Sequence, residues 1–134
     1  MPQTLAAVAV LVPTYAEGLA FFRDALGFAL VEDTPLGGDK RWVVVAPPGG
    51  GAGVLLAVPG DERQRARVGD QTGGRVGMFL HTDDFDRDYR AWMARGVRFL
   101  EIPRHEFYGT VAVFSDPWGG KWDLIQPSGA IPRP

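Results

Sequence analysis

A chain of 134 residues, 46% hydrophobic and 22% charged, is long enough for one domain with a real core and too short for two ordinary ones. Its formal charge of -2, with 14 Lys and Arg scattered along the sequence, leaves no basic stripe for a nucleic-acid partner, so a small organic molecule is the expected ligand class. The absence of cysteine removes disulfides, thiolate catalysis and cysteine metal sites together, and fits a cytoplasmic location.

The apolar run "LAAVAVLV" at residues 5–12 is short and ends at Pro13, which predicts a strand and not a leader segment. Nothing in the chain approaches the roughly 20 continuous apolar residues a membrane helix needs, and no membrane partner is expected. After Pro13, "TYAEGLAFFRDALG" places Leu19, Phe22 and Leu26 at helical spacing before Gly27. "FALVED", "KRWVVVAPP" and "GVLLAVP" follow as strand-like runs, separated by the turn-forming "PLGGD" and "PPGGGAG". The first half therefore reads β-α-β-β-β. Residues 60–74, "GDERQRARVGDQTGG", are polar and glycine-flanked, as expected of a solvated linker or of a flap over a pocket.

The same order returns in the second half. "RVGMFLHTDD" reads as a strand and "FDRDYRAWMARG" as a helix with Tyr89, Trp92 and Met93 on one face; "VRFLEIP", "GTVAVFSDP" and "KWDLIQP" then read as strands. Sliding one half over the other matches Val8 to Met78, Phe22 to Trp92, Gly27 to Gly96 and Pro59 to Pro127. An internal repeat of two modules, about 5–59 and 75–127, is the simplest account of a single domain spanning residues 1–134.

The stretches "GLAFFRDALGFALVED", "TDDFDRDYRAWMARGVRFLEIP" and "YGTVAVFSDPWGGKWDLIQP", in that order and spacing, resemble the vicinal oxygen chelate superfamily, also called the glyoxalase, bleomycin-resistance and extradiol dioxygenase superfamily. The resemblance implies an α+β fold of two tandem β-α-β-β-β modules whose sheets form a curved surface around a ligand cavity, with the helices outside. It also implies a homodimer. Metal-using members of the family take ligands from four equivalent strand positions, one on the first and one on the last strand of each module.

Carried onto this sequence, those positions are Ala7, Leu55, Gly77 and Asp123. A divalent ion needs several N or O donors converging on it, and three of the four residues have none. The repeat independently pairs Ala7 with Gly77 and Leu55 with Asp123. The expectation is no cofactor, which puts glyoxalase I and extradiol dioxygenase activities in doubt. One alternative keeps a divalent metal, held by His81, His105 and Asp123 as a two-histidine, one-carboxylate set.

Asp123 itself has three readings: a structural acid satisfied by hydrogen bonds, an acceptor for a ligand's donor group, or a general base with a raised pKa paired with His81. His81 reads as a pocket-wall residue or an acid–base partner. His105, Glu106 and Tyr108 fall in a turn, "HEFYG", that reads as a surface loop or as the lip of a cavity. Asp83, Asp84 and Asp86 stand at a helix start and read as caps. "DPWGG" is a β-turn whose geometry comes from Pro117 and the glycines. Trp42, Phe79, Phe107 and Tyr108 are candidate aromatic lining, joined by His81, His105 and Asp123 as candidate ligand contacts. The expected function is a metal-independent protein that binds and sequesters an aromatic or planar compound. The alternatives are a lyase- or dioxygenase-like enzyme built on Asp123 and His81, and an interaction module with a vestigial cavity.

Overall fold

In the computed structural model, which describes residues 2–129, the chain divides between Val68 and Gly69 into two compact units. Each is an α+β module in its own right.

In the first module, β1 (Ala7–Leu11) leads into α1 (Tyr15–Leu19), whose N-terminus is capped by Thr14: the threonine hydroxyl accepts from the Glu17 amide at 3.1 Å. The helix continues as a wider π-helical turn over residues 20–25 and stops at Gly27, which adopts φ +80°. Strands β2 (Ala29–Gly37), β3 (Lys40–Ala46) and β4 (Gly53–Ala57) complete a sheet of order β1-β4-β3-β2, in which β1 and β4 run parallel. Val10, Val43, Val45, Val54 and Leu56 belong to the core with Leu19, Phe22 and Leu26, as the helical spacing predicts. Gly18 lets helix and sheet approach, since a Cβ there would stand 2.9 Å from Leu56 Cδ1. A short helix, α2 (Glu62–Arg65), capped by Asp61, ends the module.

The second module repeats the plan. Strand β5 (Val76–His81) precedes α3 (Phe85–Ala94), followed by β6 (Arg98–Phe99), β7 (Arg104–Glu106), β8 (Gly109–Ser115) and β9 (Lys121–Pro127). The sheet order is β5-β9-β8-β6, with β7 also paired to β8 and β5 parallel to β9. One face is a nearly continuous aromatic core: Trp92 meets Phe114 edge-on at 5.2 Å, Phe114 stacks on Trp122 at 6.0 Å, and Tyr89 meets Phe99 at 4.6 Å. Asp84 caps α3 by accepting from the Arg87 amide, while Asp83 and Asp86 pair with Arg87 and Arg90 one turn later. The three acids are thus helix-start residues, as the sequence suggests.

The repeat holds at the level of register over four successive pairs, and breaks at Gly77, where β5 has an irregularity that β1 lacks. The parallel pairs Val8–Val54, Ala9–Leu55, Val10–Leu56 and Leu11–Ala57 of module one correspond to Met78–Trp122, Phe79–Asp123, Leu80–Leu124 and His81–Ile125 of module two. Four local expectations change. Met93 is 51% exposed, because the buried face of α3 is set by Phe85 and Trp92. Within "VRFLEIP" only Arg98 and Phe99 pair as a strand. His105 and Glu106 belong to β7 and not to a turn, with Phe107 and Tyr108 linking β7 to β8. The polar segment 60–74 carries α2 in its first half, and its second half packs on module two: Gly69, at φ +76°, lies so close to Trp118 that a Cβ would stand 1.7 Å from the tryptophan carbonyl oxygen.

Candidate functional site

Alternation along β9 sends Trp122 and Leu124 into the core and Lys121, Asp123 and Ile125 to the opposite, open face of the sheet. Residues paired across a ladder share a face, so the register lays out what surrounds Asp123. Phe79 is its partner on β5 and Val113 its partner on β8. One pair further along the strands come His81, Ile125, Val111 and Arg104. Phe79 is 58% exposed, an unusual position for a phenylalanine in the middle of a paired strand.

Asp123 is only partly exposed, and its Oδ1 is sealed from solvent with no hydrogen-bond donor among the described residues. The structural-acid reading required such a donor. Desolvation pushes the carboxyl above its ordinary range, and Glu101 adds to this; the charge of Arg104 works in the other direction and does not prevail. Arg104 is occupied elsewhere, since it donates to Glu101 at 3.0 Å and to Glu106 at 3.1 Å. Glu101 in turn accepts from the Val113 amide at 3.1 Å.

The other residues singled out from the sequence separate. His81 is exposed, two positions from Phe79 on β5, and therefore on the face of Asp123. His105 pairs with Thr110, which pairs with Gln126, and this row alternates with the Arg104–Val111–Ile125 row; His105 thus lies on the opposite face from Asp123, with Nδ1 3.3 Å from Thr110 Oγ1. The set His81, His105 and Asp123 is not brought together for that reason. Phe107, 76% exposed, and Tyr108 meet edge-on at 5.4 Å in the β7–β8 connection. Trp42 lies in module one, on the open face of β3 beside Val44, and is 41% exposed.

Ala7, Leu55 and Gly77 offer no side-chain donor to a metal, and among the described residues no group of three His, Asp or Glu could hold one. Gly77 is also crowded: a Cβ there would stand 2.5 Å from Thr72 Cγ2. A divalent ion of the kind the four-position pattern holds does not fit these residues.

One residue with a clear structural role was not legible in the sequence. Asp116, 5% exposed, organises the turn before β9: its Oδ1 accepts from the amides of Trp118 (3.1 Å) and Gly120 (2.8 Å), and Oδ2 accepts from Trp122 Nε1 at 3.2 Å. Burial nevertheless pushes its carboxyl above the ordinary range. Its place ahead of Pro117 in a turn was the available signal, since aspartate commonly accepts from amides two residues on.

Two modules on a β-α-β-β-β plan, the second with β6 and β7 together in the place of one strand along β8, define the class, and comparison with known proteins agrees. The model of the Glyoxalase/Bleomycin resistance protein/Dioxygenase superfamily matches residues 4–124, and the chain belongs to that family. An uncharacterised protein of Shewanella frigidimarina is 46% identical over 128 residues, covering 94% of this chain and 95% of its own. The solved structure of TnmS3, an antibiotic-binding protein from Streptomyces sp. CB03234, is 30% identical, with 96% of this chain and 98% of that chain covered and a TM-score of 0.75. UcmS2 is 29% identical, with 93% and 98% covered and a TM-score of 0.79.

Proposed function

We propose that this protein is a metal-independent small-molecule binding protein that sequesters an aromatic or planar compound. The observation that carries the reading is the open face of module two, where the exposed ring of Phe79 stands beside the partly exposed carboxylate of Asp123, which accepts no hydrogen bond from the described residues. Apolar surface with a few unsatisfied polar groups is the usual make-up of a small-molecule site. The likeness to an antibiotic-binding protein over nearly the whole chain supports it, as does the lack of donors at three of the four metal positions. A homodimer in the cytoplasm, the latter consistent with the absence of cysteine, completes the proposal.

The test is a thermal-shift screen of planar aromatic antibiotics, followed by chromatography of each stabilising compound after prolonged incubation. Sequestration requires a saturable rise in melting temperature, worth about 2.7 kcal/mol at a hundredfold excess over Kd, and recovery of the compound unchanged. A panel without any stabilising compound refutes the reading. Conversion of the compound favours the second reading, proton transfer by Asp123, for which its raised pKa and the placement of His81 on the same face are the supporting features. In that case Asp123→Asn should abolish turnover while binding survives.

A further inference from the structure

The charge around Asp123 narrows the kind of molecule this face can take. Three carboxylates, those of Asp123, Glu101 and Glu106, stand against two cations: the Arg104 guanidinium, and Lys121, which shares the Asp123 face of β9 two residues away. Arg104 is engaged by two of the three and has no hydrogen bond to Asp123. When Asp123 is ionised, the local balance is therefore negative, and what the site lacks is a donor. An anionic group would meet the acidic surplus and find Arg104 already paired, leaving Lys121 as the cation on this face. A cationic or N–H-bearing group would meet a partly exposed carboxylate that accepts no hydrogen bond from the described residues; with Oδ1 sealed, Oδ2 is the oxygen it can reach.

Phe79 supplies the second half of the recognition. It is the parallel-strand partner of Asp123, so ring and carboxylate emerge side by side from neighbouring strands, which lie about 4.8 Å apart. The exposed ring offers a π face for stacking and attracts positive charge through its quadrupole. Val113, the β8 partner of Asp123, lies beyond on the same face and adds partly exposed apolar surface.

Resting on the binding function proposed above, we propose that module two recognises a planar aromatic cation or amine, with Phe79 as the platform for the ring and Asp123 as the acceptor for its N–H group. Selectivity lies in the carboxylate and general affinity in the ring. The two contributions are therefore separable by mutation.

Two probes of nearly identical shape and opposite charge test this: 9-aminoacridine and anthracene-9-carboxylate, titrated by isothermal calorimetry at neutral pH into the wild type, Asp123→Asn and Phe79→Ala. Circular dichroism checks that each variant is folded. The wild type should bind the amine at least about tenfold more tightly than the carboxylate, a difference of about 1.4 kcal/mol. Asp123→Asn should remove most of that preference by weakening the amine alone, whereas Phe79→Ala should weaken both probes. Equal binding of the two probes by the wild type, or an unchanged preference in Asp123→Asn, overturns the inference and leaves the binding function standing. Failure of both probes to bind the wild type overturns the inference and counts against the aromatic-binding function with it.

Discussion

Replacing Asp123 with asparagine should make the protein more stable at neutral pH. The carboxylate has one oxygen sealed from solvent without a donor; asparagine still places a polar atom there but removes the desolvated charge, whose extra cost is about 1–3 kcal/mol. Because Asp123 keeps part of its exposure and solvent screens its charge, the lower end of that range applies, about 1 kcal/mol. For a chain of this length that corresponds to a melting-temperature rise of roughly 3–5 °C. The sign of the pH dependence follows from the raised carboxyl pKa. The folded protein holds the proton to higher pH than the unfolded chain does, so stability is lost as pH rises from the unfolded value, about 3.9, through the folded one. Asparagine has no such loss. The gap between variant and wild type should be widest at pH 7 and close toward pH 4; Asp116, whose carboxyl is also raised, is present in both proteins and cancels in the difference. Differential scanning calorimetry at the two pH values decides it. A variant less stable than wild type at pH 7 would mean that Asp123 accepts a stabilising bond, and the functional argument built on its unsatisfied oxygen would fall.

Asp116→Ala should have the opposite effect, since it strands two amides and the Trp122 indole N–H; a loss of about 2–4 kcal/mol, read as a lower urea midpoint, is expected. Gly69→Ala should cost about 2 kcal/mol or more, because the new methyl group meets the Trp118 carbonyl and the residue must keep a positive φ; a midpoint unchanged from wild type would show that the segment can move away from the turn. The proposed homodimer should appear in light scattering at twice the chain mass. If the apolar edge strand β2, where Val31 is 62% and Leu36 56% exposed, forms its interface, Val31→Arg with Leu36→Arg should shift it to monomer, whereas a wild type already monomeric refutes the dimer.

The fold was legible because it is written twice. Apolar periodicity and glycine punctuation recur at a nearly constant interval, and the paired registers of β1–β4 and β5–β9 follow it from Val8 and Met78 onward. Alternation puts Phe79 and His81 on one face, since period-2 geometry is local; that Asp123 shares it depends on the β5–β9 register. His105 was harder to place: its face depends on the register of the β7–β8 pairing, and a one-residue change in where the turn begins reverses it. Met93 misled for a related reason, because the helical arc it belongs to is decided by where Trp92 and Phe85 seat against the sheet. The role of Asp116 rests on a tertiary bond to an indole six residues away, and composition gives no sign of that bond.

The internal repeat supplies its own control for Asp123. Leu55 occupies the corresponding place in module one, paired with Ala9 as Asp123 is paired with Phe79, and module one forms the same sheet order around it. A scaffold of this design therefore holds together with an apolar residue at that position. Copying module one into module two, as Asp123→Leu, should leave the circular dichroism spectrum unchanged and the melting temperature at or above that of the wild type, because a partly buried unsatisfied carboxylate gives way to a hydrophobic side chain. The same variant should lose its preference for 9-aminoacridine while retaining anthracene-9-carboxylate. Loss of folding would instead assign Asp123 to the scaffold. Preserved folding with lost selectivity would leave ligand recognition as the reason module two carries an acid where module one carries a leucine.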